Sequence, residues 1–218
     1  KNRPAMGDPA AYGYLRDPQA IYDKSFAIVR EEADFSQLPE SLHDVAVRLI
    51  HACGMTDLPS DLAWGGDPAA AGSAALRRGA PILVDVMMVR HGIIDRVLPA
   101  GNQIICTLNT FGVEKTAKQR GDTRSAVAVE KWREDMAGAV VCIGNAPTAL
   151  FRLLEMLGTG APKPAVILGF PVGFVGAAES KQALIDGAGD IPYLTLRGRR
   201  GGSAIAAAAV NALARLPA

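Results

Sequence analysis

The sequence predicts a single doubly wound α/β domain, with a mainly parallel sheet covered by helices, spanning residues 14–218. Three observations point to this. From residue 80 onward, short runs of Val, Ile and Leu alternate with turns and helical segments. These runs are almost free of charge, as strands buried on both faces are. The chain's 218 residues, 49% hydrophobic and 21% charged, suit one large globular domain, and no linker divides it. Strand–helix alternation then implies right-handed crossovers and parallel pairing.

The first stretch, residues 1–13, is rich in Pro, Gly and Ala without period and reads as a flexible N-terminal arm. Asp17-Pro18 is an N-cap followed by proline at the first helical position. The helix it opens runs through Ile21, Tyr22, Phe26, Ile28 and Val29. Ser25 lies on that apolar stripe. Its hydroxyl is either bonded back to the preceding turn, the commoner outcome, or aimed at something polar in a cavity.

A second helix is expected from Pro39 to Cys53. Leu42, Val45, Ala46, Leu49, Ile50 and Cys53 recur at helical spacing and form its core face. Asp44, Arg48 and His51 fall at i, i+4 and i+7, a separate polar stripe. Gly54 is a left-handed stop. His51 thus sits at a helix end, where unpaired carbonyls favour imidazolium and Arg48, one turn earlier, opposes it. A histidine balanced this way can exchange a proton near neutrality. On spacing alone, a surface or C-capping histidine is the plainer alternative.

The expected strands are Pro81–Val86, Gln103–Leu108, Ala139–Ile143, Ala165–Phe170 and Tyr193–Leu196. Their helical partners are Asp122–Met136, Pro147–Leu157, Ala177–Asp186 and Ser203–Leu216, with a shorter one after Val86. Ligands of such a sheet bind at the carboxyl ends of its strands. The loops there are Gly144-Asn145-Ala146-Pro147-Thr148, Gly169–Gly176 and Arg197-Gly198-Arg199-Arg200-Gly201-Gly202-Ser203. Glycines in short loops usually serve turns, but three such loops at one sheet end exceed what turns require. Residues 109–123 read as a long basic loop ending in Gly121-Asp122-Thr123-Arg124-Ser125. Arg124 then falls in a helix's first turn, a poor place for a cation without an anionic partner.

Several classes are excluded. A net charge of +1 argues against nonspecific nucleic-acid binding. No GxGxxG or P-loop occurs. The three cysteines (Cys53, Cys106, Cys142) form no CxxC pair and read as buried reduced thiols, and the three histidines lack zinc-site spacing. The uncharged run between Lys163 and Glu179 is broken by Pro and Gly and is too short to span a bilayer. The reduced thiols suit a cytoplasmic location, and no signal-peptide pattern opens the chain. No activated nucleophile is visible. Four loop-side arginines (Arg124, Arg197, Arg199, Arg200), glycine-lined backbone and few carboxylates suit a ligand bearing several carboxylates.

Six segments carry a specific resemblance, which covers nearly everything from Tyr14 onward. They are Ile21-Tyr22-Asp23-Lys24-Ser25-Phe26, Arg48-Leu49-Ile50-His51-Ala52-Cys53-Gly54, Gly121–Ser125, Gly144-Asn145-Ala146-Pro147-Thr148-Ala149-Leu150, Gly169-Phe170-Pro171-Val172-Gly173-Phe174-Val175 and Arg197–Ser203. The chain resembles the precorrin-8X methylmutase family of cobalamin biosynthesis, in the pattern of its oxygen-dependent branch. The resemblance implies an isomerase that moves a methyl group from C11 to C12 of the ring, turning precorrin-8X into hydrogenobyrinate without an external cofactor. It implies His51 as the proton donor, Ser25, Arg48 and Arg124 as substrate contacts, and a homodimer with sites near the subunit interface. An apolar surplus on Ala204–Leu216 points to the same assembly. Met87 departs from the family pattern, which usually has a polar residue there. His43 and His91 carry no family role. Two other readings stay open: a tetrapyrrole carrier without turnover, and a phosphate- or nucleotide-binding α/β enzyme using the Gly- and Arg-rich loops.

Overall fold

The computed structural model describes residues 12–217. The expected arm therefore lies, apart from Tyr12 and Gly13, outside the described residues. Helix α1, Pro18–Glu32, starts where Asp17 accepts a hydrogen bond from the Ala20 N–H at 2.7 Å. Helix α2, Glu40–Cys53, buries Leu42, Val45, Ala46, Leu49 and Ile50. It ends at Gly54, whose φ of +71° is the left-handed stop and whose N–H bonds the Ile50 carbonyl.

The next two elements, β1 (Leu62–Gly65) and α3 (Pro68–Arg77), have no counterpart in the sequence reading. The strand is four residues long and ends in glycine. The helix is mostly Ala, with Gly and Ser, and Leu76 is its single large apolar residue, so no period shows. Its small face is functional packing: a Cβ on Gly72 would lie 2.5 Å from Leu213 Cδ1. Then follow β2 (Ile82–Val84), α4 (Met87–Gly92), β3 (Ile104–Cys106), α5 (Val113–Arg120), α6 (Arg124–Glu130), β4 (Val140–Ile143), α7 (Pro147–Gly158), β5 (Val166–Gly169), α8 (Ala177–Gly187), β6 (Tyr193–Leu196) and α9 (Ser203–Leu213).

Two expectations need correction here. The supposed loop 109–123 contains α5, which buries only Val113 and Ala117, spaced i and i+4, against Val127 and Ala128 of α6. Two apolar residues in a basic octapeptide leave little periodic signal. Helix α6 stops at Glu130 rather than Met136. Beyond it, N–H groups of Lys131, Trp132 and Asp135 bond carbonyls three residues back, a tighter winding. That winding still carries Trp132 and Met136 into full burial.

All five expected strands form and run parallel, in the order β1-β6-β5-β4-β2-β3, with β1 added antiparallel to β6. Side chains alternate between two cores. Ile82, Val84, Val140, Cys142, Val166 and Leu168 face α2, α3 and α9, while Leu83, Val141, Ile143 and Ile167 face α6, α7 and α8. The fold is therefore doubly wound, as expected. Helix α9 is packed by α2 and α4, with Ile205, Ala206, Ala209 and Val210 all buried, so the apolar surplus expected there does not exist. The exposed large apolar side chains among the described residues lie instead on α1 (Ile21, Tyr22, Ile28), on Tyr12, Tyr14 and Leu15 before it, on Met87 and Met88 of α4, at Phe111, and at Val172, Phe174 and Val175. No helix among the described residues is long and apolar enough to cross a membrane.

The strand order reverses between β2 and β4, which is where ligands of such sheets commonly bind. Here that point is closed by the chain itself. Asp85, 3% exposed, follows β2 and accepts hydrogen bonds from the N–H groups of Gly144, Asn145 and Ala146 at 2.9, 3.0 and 2.8 Å. Burial raises its carboxyl above the usual range, and the three N–H groups pull the other way. The backbone donors at the start of α7, which could have held a phosphate, hold a protein carboxylate.

Candidate active site

The first helix pair builds the site. Helix α1 lies against α2 so that Ser25 Oγ and His51 Nδ1 stand 2.8 Å apart. Of the two outcomes open to Ser25, the structure takes the rarer one. Its hydroxyl accepts from Nδ1–H of an imidazolium, or donates to Nδ1 of a neutral ring, because a hydroxyl can do either. In both cases Nε2 is left for another partner. The imidazole is walled by Phe26, edge-on with ring centroids 5.3 Å apart, and by Tyr22 at 5.5 Å.

Arg48 belongs to the same constellation. Its guanidinium carbon lies 5.1 Å from the Phe26 ring centre. Burial, and then the charge of Arg215, push its guanidinium below the usual range, while Asp44 pushes the other way. Asp44 itself is bound to Arg30 of α1 at 2.6 Å. That pair links α1 to α2.

His51 is exposed and is shared by two cavities. The larger, about 910 Å³, is lined by Ser25 together with Tyr14, Leu15, Ile21, Ile28 and Ile50. The smaller, about 280 Å³, is lined by Tyr22, Arg48, Ala204, Ala207, Asn211 and Arg215. An apolar chamber and a cationic one thus meet at a single imidazole.

The structure does not bring Arg124 to this place. Thr123 caps α6, and Arg124 Nη2 donates to Asn109 Oδ1 at 2.7 Å, with Glu114 nearby. Arg124, Asn109 and Glu114 line a separate cavity that shares no residue with the two at His51. Within the chain, the first-turn arginine bonds a neutral amide oxygen, and the anion acting on it is the carboxylate of Glu114. Met87, at the start of α4, lines neither cavity at His51. His43 is structural, with Nε2 3.1 Å from the Leu38 carbonyl and its ring 5.5 Å from that of Phe35.

The arginine-rich loop after β6 also reads differently in three dimensions. Arg200 is committed to Asp57, at 2.9 Å, and to Asp61, both in the turn before β1. Arg199 lies over the ring of Phe174. Gly201 serves close packing, since a Cβ there would meet the Phe170 and Pro171 carbonyls at 2.4 and 2.5 Å. The buried Lys181 donates to the Arg200 carbonyl and holds the loop from beneath. Burial pushes Lys181 down to about 8. The thiols of Cys53, Cys106 and Cys142 are all pushed up by burial, which disfavours the thiolate. Tyr22, Phe26 and Arg215 were not singled out as site residues in the sequence. Tyr22 and Phe26 carry a helical-stripe signal that any core would give, and Arg215 carries none.

Residues 20–216 match the family model described as precorrin-8X methylmutase. The chain is 60% identical over 201 residues to the precorrin-8X methylmutase of Pseudomonas aeruginosa, covering 92% of this chain and 97% of that one. It is 34% identical over 200 residues to the cobalt-precorrin-8 methylmutase of Priestia megaterium, covering 91% and 88%. The crystal structure of a precorrin-8X methylmutase from Thermus thermophilus superposes with a TM-score of 0.82 at 36% identity, over 90% of this chain and 95% of that one. With a family model spanning almost all of its described length, the chain belongs to the precorrin-8X methylmutase family.

Proposed function

We propose that this chain is an isomerase of cobalamin biosynthesis that converts precorrin-8X to hydrogenobyrinate by moving a methyl group from C11 to C12 of the ring, with His51 as the proton donor. The observation that carries the reading is the Ser25–His51 hydrogen bond at the junction of an apolar and a cationic chamber. Substrate and product are isomers, so the reaction consumes no electrons and needs no nucleophile. It needs the ring held in one geometry and its electrons redistributed, and a proton delivered to a ring nitrogen does the second. The apolar chamber suits the macrocycle. Ser25 holds Nδ1 and leaves Nε2 to carry the proton. The 60% identity to a relative named for precorrin-8X, against 34% for one named for the cobalt form, favours the metal-free ring. The phosphate reading loses its natural place, because Asp85 fills the backbone donors before α7.

The test is incubation of the purified protein with precorrin-8X, following the absorbance change to hydrogenobyrinate. Many turnovers per protein support the proposal. Product that stops at one equivalent would instead identify a carrier.

We place the enzyme in the cytoplasm as a homodimer that buries the exposed apolar face of α1, including Ile21, Tyr22 and Ile28 beside His51. Sedimentation at micromolar concentration should give twice the chain mass, and a monomer there would count against the assembly. Arg124 is proposed as a carboxylate contact of the ring periphery. Arg124→Ala should weaken product binding by about 1.5–3 kcal/mol, the scale of a charged hydrogen bond. Stability should change little, because the side chain is exposed. Unchanged affinity in a corrinoid titration would remove Arg124 from the site.

A further inference from the structure

Arg48 and Arg215 come from different helices and line one small cavity with His51. Arg48 projects from the last turns of α2, and Arg215 lies just beyond α9. The charge of Arg215 acts on Arg48. Among the described residues neither has a carboxylate of its own. Asp44, the one acid acting on Arg48, is engaged by Arg30. Two guanidinium groups facing one cavity without an acid repel each other, and an anion placed between them removes that cost.

Arg215 is also held in place. Its Nη1 donates to the Asn211 carbonyl at 3.1 Å. Asn211 is fixed in turn, its Nδ2 donating to the Gly92 carbonyl and its Oδ1 accepting from the Ile94 N–H, both at 2.9 Å. Ala204, Ala207 and Ala208 form the floor and leave the space open. The bond to Asn211 uses one N–H direction of a fork with five.

We propose that Arg48 and Arg215 together form a subsite for a peripheral carboxylate of the tetrapyrrole, and that Arg215 is a specificity-determining residue for the reaction. The inference rests on the methylmutase reading. One carboxylate side chain enters the small chamber while the ring lies in the large one, so the subsite sets how the ring faces His51.

The test uses Arg215→Gln, which keeps a donor for the Asn211 carbonyl and removes the charge, and Arg215→Lys, which keeps the charge and loses the fork. Arg215→Gln should raise KM for precorrin-8X, and the Kd for hydrogenobyrinate, about tenfold. Arg215→Lys should recover part of the loss. Hydrogenobyrinate with its peripheral carboxylates converted to amides should bind wild type and Arg215→Gln alike. An equal loss for the amidated ligand, or wild-type KM in Arg215→Gln, would overturn the subsite. A helix-capping role alone would lower the melting temperature of Arg215→Gln and leave KM where it was. If the wild type binds the corrinoid tightly but does not turn over precorrin-8X, the methylmutase reading fails and the subsite is judged on binding alone.

Discussion

His51→Ala is expected to reduce turnover of precorrin-8X by about 10² to 10⁴-fold, the usual contribution of a positioned general acid. The geometry says why the loss should fall on kcat. His51 lies at the end of α2, held by Ser25 at Nδ1 and walled by Phe26 and Tyr22, so it is aimed rather than mobile. Product affinity should fall much less, because Arg48 and the apolar chamber remain. Ser25→Ala should fall between wild type and His51→Ala, since it frees the ring without removing it. His91→Ala and His43→Ala should keep most of the activity, the second at some expense in stability because its ring packs on Phe35. The rate of the absorbance change at saturating substrate decides the matter. A wild-type kcat in His51→Ala would mean that ring geometry or a water drives the migration.

Asp85→Ala should be the most damaging single change to the fold. Three backbone N–H groups end on that carboxylate, which is 3% exposed; the bond from Gly144 is buried and those from Asn145 and Ala146 are partly so. Truncation leaves them without acceptors at about 1–3 kcal/mol each, so a total loss of roughly 3–5 kcal/mol is expected after local relaxation. For a chain of this size that corresponds to a melting temperature lower by about 10 °C. Asp85→Asn should lose less, since it retains one acceptor oxygen. Urea unfolding of the three proteins measures the series. A loss under about 1 kcal/mol for Asp85→Ala would show that the loop before α7 satisfies itself in some other way.

The parts legible in advance share one property: their signal is local. The five parallel strands are continuous apolar runs, and α2 announces itself by the spacing of Leu42, Val45, Leu49 and Ile50 with Gly54 as its stop. The parts that were not legible depend on what lies opposite. Helix α3 is a helix of small residues because Leu213 presses on Gly72, and no window of its own sequence contains Leu213. Helix α5 buries two residues against α6 and is otherwise a basic surface. The arginines of the loop after β6 read as ligand contacts because Asp57 and Asp61, which neutralise Arg200, lie some 140 positions earlier.

By itself, then, the sequence determined the doubly wound class, the helix that ends in His51, and, through six segments of resemblance, the family. These depend on periodicity, stop signals and residue identity, all of which are carried within a few residues of one another. Only the tertiary structure decided that Ser25 reaches His51 rather than its own helix, that Arg124 stands apart from them in the single chain, and that Asp85 closes the switch point. It also placed Arg215 beside Arg48. Each of these depends on where elements far apart in the chain come to lie relative to one another. Burial of the two apolar cores selects those placements, and hydrogen-bond geometry then fixes them.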